Sequence, residues 1–294
     1  MLHINLINLI NLYQPSSTET FHSTTEKIMK HNFKYILSLC VALSFGSCSK
    51  EFLEIEPQDR LTADNFYKTA GEIKAATASL YGFPWFDFND KFFWLAGDVM
   101  SGNMYYTYDQ EGQFFFFSFS GGNAHLTSGW KGLYRVISYA NSIINDMPRA
   151  AAGKVDQLVI DQALGEARFV RAYCFYMLAE YWGDVPIVEN STELVASNNL
   201  FLPKNTRSSV LEFARRDLEF ATANLPTSDA PGRLTQWAAK AMLAKVHLTL
   251  AQNLSDANSA DNFSKAKQFA ADVITNSGLS LMPNYADLFK IENN

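Results

Sequence analysis

From Thr62 onward, apolar residues recur every three or four positions, the spacing of a single helix face. Thr69-Ala70-Gly71-Glu72 has the form of a capping box, in which the Thr hydroxyl and the Glu carboxylate satisfy each other's orphan amides. It opens a predicted helix with Ile73, Ala76, Thr77 and Leu80 on one stripe, closing before Pro84. Trp130, Leu133, Ile137, Ala140, Ile144 and Met147 predict a second helix over about 126–147, stopped by Pro148. The third, over about 155–181, is the longest and most apolar, ended by Gly183 and Pro186 as C-cap and breaker. Ser209-Val210-Leu211-Glu212 reads as a second capping box, leading Leu211, Ala214, Leu218, Ala221 and Leu225 into Pro226. Two more helices are predicted over 235–252 and 262–278, the latter closed by Gly278.

Small residues on this last pair (Ala238, Ala239, Ala241, Ala244, Ala266, Ala270) permit the close approach of tetratricopeptide-like hairpins, although no strict 34-residue period is visible. Helix pairs over about 155–225 and 235–278 then stand side by side. The fold expected is mainly α, with such hairpins stacked in an α-α superhelix. Strand signals are confined to Phe114–Phe119 and Val185–Glu189. Residues 82–129 break the pattern: rings alternate with Gly, Asn and Asp without a helical period, and a long functional loop is expected there.

Composition narrows the function. The chain has 294 residues, 48% of them hydrophobic, enough apolar material to bury a core and exclude general disorder. A net charge of −6 argues against a nucleic-acid partner. Three cysteines are too few for a disulfide scaffold. Five histidines show no metal spacing, and neither G-x-S-x-G nor a phosphate-cradling glycine loop is present, so no cofactor, metal or catalytic residue is expected. The 23 Phe, 13 Tyr and 5 Trp exceed the usual needs of a core this size, so some rings are expected to face a ligand.

The amino terminus reads as an address. A basic stretch, Met29 to Lys34, precedes an apolar run from Tyr35 to Phe45 and the small residues before Cys48. That order is the form of a secretory signal, and the run is too short to span a bilayer. It resembles a bacterial lipoprotein signal over residues 29–47, with Cys48 lipidated and Phe45 standing where an aliphatic residue is usual. Residues 1–28 then read as an over-long gene start, and 48–61 as a polar, acidic tether. At least two acyl chains would anchor the body stably. No later segment has the length and apolarity of a membrane span.

Several motifs together resemble the SusD/RagB family of outer-membrane nutrient-binding lipoproteins from Bacteroidetes-type bacteria. The strongest is Glu166 to Val188 (EARFVRAYCFYMLAEYWGDVPIV), similar almost residue for residue to the family's E-A-R-F-x-R-A and G-D-V-P-x-V signature. Cys48 to Glu54 with Pro57, Arg207 to Pro226, and Arg233 to Leu248 add to it. The resemblance implies a non-enzymatic, surface-exposed lipoprotein that binds oligo- or polysaccharide, or peptide in some members. It implies delivery to a partner TonB-dependent (SusC-like) transporter. Members usually run to about twice this length, so 62–294 reads as the N-terminal helical domain, with a C-terminal half, and part of the ligand site, missing.

Within that picture Glu166, Arg168 and Arg171 read as charge pairs tying helices together, and Gly183, Asp184 and Pro186 as turn-forming members of the signature. His247 and Cys174 read as packed helix residues. The candidate ligand residues are Trp85, Trp94, Asp98, Asn103, Tyr105, Tyr106 and Tyr108. Rings cover the flat C–H faces of sugars, while Asp and Asn take the hydroxyls. Alternatively, Trp85, Phe92, Phe93 and Trp94 fill core beneath the loop, as Trp130 is expected to. Two other functions compete: a helical-repeat scaffold that binds peptide or protein without a sugar ligand, and, more distantly, an α-helical glycosidase, for which Asp87, Asp90, Asp98, Asp109 and Glu111 are the only acids near the rings.

Overall fold

The structure, a computed structural model, describes residues 62 to 291 apart from 63, 64, 200 and 255. The signal, Cys48 and the tether lie outside the described residues. The Thr69 box forms as read: its hydroxyl accepts from the Glu72 N–H at 3.2 Å, and the Glu72 carboxylate accepts from the Thr69 N–H at 3.3 Å. It opens α1 (Ala70–Ala78), which tightens into a 3₁₀ turn at Ser79–Tyr81.

Residues 82–129 are not the loop their sequence suggests. They fold as a chain of short helical turns: 3₁₀ at Phe83–Trp85, α2 (Phe86–Asn89), α3 (Phe92–Trp94), a π turn at Leu95–Val99, and α4 (Asp109–Phe115). Each turn points differently, so no continuous period is written in the sequence. Each still buries one or two large side chains, among them Phe88, Phe92, Leu95, Val99 and Phe114. Of the expected strand over Phe114–Phe119, Phe114 and Phe115 end α4 and the rest is turn and irregular chain, with Phe117 at φ of 52°.

The long helices follow as α5 (Ala124–Ala151), α6 (Gln157–Trp182), α7 (Ser191–Ala196), α8 (Arg207–Asn224), α9 (Gln236–Ala251) and α10 (Ser259–Asn276). α6 packs between α5 and α8, α8 meets α9, and α9 meets α10, giving the stacked helical hairpins. Among the described residues no strand forms. Val185 and Asn205 exchange backbone hydrogen bonds of 3.1 and 2.9 Å in an isolated bridge. The next ladder donor, the Ile187 N–H, goes to the Asn205 side chain at 2.9 Å, and the Asn141 and Asn145 amides take the carbonyls of Val188 and Glu189, so the predicted strand there goes no further.

Two helix boundaries differ from the sequence reading for physical reasons, and one short helix carried no signal. Pro148 does not stop α5, which continues to Ala151. Met147, Ala150 and Ala151 are buried, and burying that last turn outweighs one missing N–H. α8 starts earlier than the Ser209 box, with Thr206 as N-cap accepting from the Ser209 N–H at 3.2 Å. Glu212 instead pairs with Arg215 at 2.7 Å. α7, capped by Asn190, is too short to show a period.

One glycine sets how closely the aromatic segment lies on α5. A Cβ at Gly132 would stand 2.7 Å from the Phe88 backbone nitrogen, nearer than real side chains come. Its absence lets α2 sit directly on the helix.

Candidate functional site

The seven candidate ligand residues fall into two groups. Trp94, on α3, is half-buried, and its indole N–H donates to the Asp90 carbonyl at 2.8 Å. Tyr106 meets it edge-on at 5.7 Å between ring centroids, and Tyr108 meets Tyr106 at 6.1 Å. Tyr105 stands edge-on to Phe115 at 5.1 Å. Tyr105 and Tyr108 are each 75% exposed, too open for core. The Asp98 carbonyl accepts from the Met104 N–H at 3.1 Å, closing a turn that brings Asp98 beside the tyrosines. Asp98 and Asn103 are both exposed on that turn. Hence Trp94, Tyr106 and Tyr108 form an open platform of touching rings, with exposed Tyr105 next in the chain and Asp98 and Asn103 on the adjoining turn.

Charged groups that the sequence reading did not single out brace the platform. Lys91 Nζ lies 5.7 Å from the centre of the Trp94 ring and 3.1 Å from Glu111 Oε1. His125, in the first turn of α5, approaches the same Glu111 oxygen at 3.3 Å. Glu111 raises the Lys91 ammonium above its ordinary range. Partial burial pushes the Glu111 carboxyl up, but its own backbone N–H, Lys91 and His125 together hold it below the usual carboxylate range. Lys91 and Glu111 are 20 residues apart, so no local spacing foretells the pair.

Trp85 belongs elsewhere. Its indole N–H donates to the Leu80 carbonyl at 2.6 Å, and its ring meets Phe88 and Tyr173 edge-on. It lines a cleft of about 560 Å³ with Tyr81, Phe93, Tyr173, Met242 and Lys245. Phe92 is core, and Trp130 is partly buried against it.

The signature residues cross-link helices. Arg171 donates to both oxygens of Asp217, at 2.7 and 2.9 Å, and to Asn141 Oδ1 at 2.8 Å, joining α6 to α8 and α5. Arg168 stacks over the Phe220 ring at 4.1 Å and stands 3.8 Å from Asp217. Glu166 accepts from the Tyr81 hydroxyl at 2.7 Å and from Arg233 at 2.9 Å, while Arg233 also reaches Thr77 at 2.7 Å. Burial pushes the Glu166 carboxyl up against the opposing pull of Tyr81 and Arg233. Gly183 caps α6 at φ of 75°, a conformation glycine adopts without strain. Asp184 accepts from the Arg207 N–H at 2.9 Å and faces Lys204 at 3.2 Å, which hold its carboxyl below the usual range. The Pro186 carbonyl accepts from the Tyr134 hydroxyl at 2.7 Å. His247 bonds Asn262 at 2.7 Å between α9 and α10, and burial pushes the Cys174 thiol well up.

Among the described residues no three His, Cys, Asp or Glu side chains gather as a metal site, and no helix is long and apolar enough to cross a membrane.

Residues 62–248 match the family model SusD-like, described as "Starch-binding associating with outer membrane". A SusD-like protein of Bacteroides ovatus is 36% identical over 262 residues, covering 89% of this chain and 47% of its own. A SusD-like protein of Formosa agariphila is 26% identical, covering 88% of this chain and 49% of its own. A crystal structure with xylogluco-oligosaccharide, 35% identical, superposes with a TM-score of 0.68 over 76% of this chain and 44% of that one. This chain therefore spans about half the length of the curated relatives it matches. With the family model covering most of the helical body and a relative above one-third identity, the chain belongs to the SusD-like family.

Proposed function

We propose that this protein binds oligo- and polysaccharides on the Trp94, Tyr105, Tyr106 and Tyr108 platform. It sits at the outer-membrane surface and passes its ligand to a TonB-dependent, SusC-like transporter. The observation that carries it is two tyrosines 75% exposed on a platform braced from below, within the family-matched residues. An edge-on pair covers one face of one ring, which leaves the opposite faces for the apolar side of a pyranose. Exposed Asp98 and Asn103 supply acceptors and donors for its hydroxyls. The oligosaccharide in the related structure supports the same ligand class. Binding without catalysis is part of the proposal: the buried acids Glu166 and Asp217 are held in ion pairs with Arg233 and Arg171.

Affinity electrophoresis of the full chain through soluble polysaccharides, xyloglucan and starch among them, tests this. The expected result is retardation by at least one neutral polysaccharide, with no reducing ends released. Trp94→Ala should weaken that binding by at least about tenfold, or ~1.4 kcal/mol, while circular dichroism keeps its helical signal. Loss of the helical signal would instead make Trp94 a core residue. The apolar cleft beside Trp85 favours the second reading, a scaffold for peptides. Peptide binding by a folded protein that ignores every polysaccharide would replace the first reading with that one.

The lipid anchor is part of the same proposal and rests on the sequence before Cys48. Cys48→Ala is expected to leave the fold intact and move the protein from the membrane to the soluble fraction. Unchanged membrane retention would remove the anchor.

A further inference from the structure

We infer that the platform selects uncharged glycans and turns away those bearing uronate or sulfate. This rests on the platform reading above and adds the substrate's charge. Residues 82–129 hold five carboxylates, Asp87, Asp90, Asp98, Asp109 and Glu111, against one lysine, Lys91, and no arginine. That lysine is already paired: its ammonium faces Glu111 at 3.1 Å and lies 5.7 Å from the centre of the Trp94 ring. Asp87 is neutralised by Arg135 of α5 at 2.7 Å.

Three carboxylates remain: Asp90, Asp98 and Asp109. All are exposed, and none makes a salt bridge among the described residues. Each is fixed to the platform by the backbone. The Asp90 carbonyl holds the Trp94 indole, the Asp98 carbonyl closes the turn before Tyr105, and Asp109 directly follows Tyr108. A neutral sugar offers hydroxyl donors to such acceptors, and a hydrogen bond to an ionised acceptor is the stronger kind. A uronate or sulfate brings a like charge instead. An anion brought to within about 8 Å of all three charges in water is disfavoured by about tenfold in affinity at low salt. Screening over a Debye length of about 8 Å reduces this to a few-fold at physiological ionic strength.

The test pairs three neutral polysaccharides (xyloglucan, galactomannan and mixed-linkage glucan) with partially C6-carboxylated forms prepared from the same stocks. Calorimetry with the full chain is run at about 10 mM and about 150 mM ionic strength. The expected result is binding of at least one neutral form, about tenfold weaker binding of its carboxylated partner at low salt, and a gap that narrows with salt. Asp90→Asn with Asp109→Asn removes two of the three charges and should shrink the low-salt gap to about two- to threefold. Asparagine tolerates the φ of 46° at position 109. Equal or tighter binding of a carboxylated form overturns the inference. So does a gap that neither salt nor the asparagine variant changes, which would be steric. If a folded protein binds neither form, the platform reading itself falls, and the charge selection with it.

Discussion

Asp217→Ala is expected to destabilise the protein by about 3–5 kcal/mol, because it leaves the Arg171 guanidinium buried without its counter-charge. Both side chains are 5% exposed, and Arg171 gives two parallel hydrogen bonds to the carboxylate. Only the bond to Asn141 would survive. For a body of this size the loss corresponds to a drop in Tm of roughly 6–20 °C in a thermal melt. Replacing both partners together, Arg171→Met with Asp217→Leu, should recover much of the loss, since buried ion pairs trade nearly evenly against apolar packing. A single-variant melt within about 2 °C of wild type would show that Arg171 finds solvent or another partner. The effect is on stability: the pair joins α6 to α8.

Phe92→Ala is expected to cost a similar ~3–5 kcal/mol by opening a cavity in the core, and in addition to weaken glycan binding. The ring is 2% exposed and stacks on Trp182 at 4.9 Å, with Tyr181, Phe88 and Phe114 around it. It shares the single turn of α3 with Trp94, so collapse of the core beneath that turn would tilt the platform. Denaturant unfolding measures the first effect and affinity electrophoresis the second. Phe92→Leu, which retains most of the volume, should lose far less of both. A loss below ~1 kcal/mol for the alanine variant, or full stability loss with unchanged affinity in the folded fraction, would separate α3 packing from the platform.

The sequence by itself determined the features that close within one or two helical turns. The Thr69–Glu72 capping box, the Gly183 stop and the pairing of α9 with α10 are local patterns, and the structure realises each of them. The small residues of α9 do not all serve that pairing: Ala239 packs on Ala221 and Leu225 at the end of α8, and Ala238 and Ala241 line the cleft beside Trp85. The family resemblance was also legible, because Glu166 to Val188 is a continuous signature on one helix and its exit turn. Pro148 and the Ser209 box were misleading for the opposite reason. Each is a valid local signal overruled by something outside its own window: burial of Met147 and Ala151 in one case, an earlier cap at Thr206 in the other.

Only the tertiary structure decided how residues 82–129 fold and which rings do what. Trp85 and Trp94 are nine residues apart and chemically alike, yet one floors an apolar cleft and the other opens onto the platform. What separates them is the direction of single helical turns, which period analysis averages away. The partners that fix those turns come from far along the chain: Lys91 and Glu111 are 20 residues apart, Arg171 and Asp217 46, and Glu166 and Arg233 67. A spacing rule sees neighbours along a helix or strand. Charge pairing and ring stacking across such distances exist only once the helices have packed, and that packing makes the exposed tyrosines a surface rather than core.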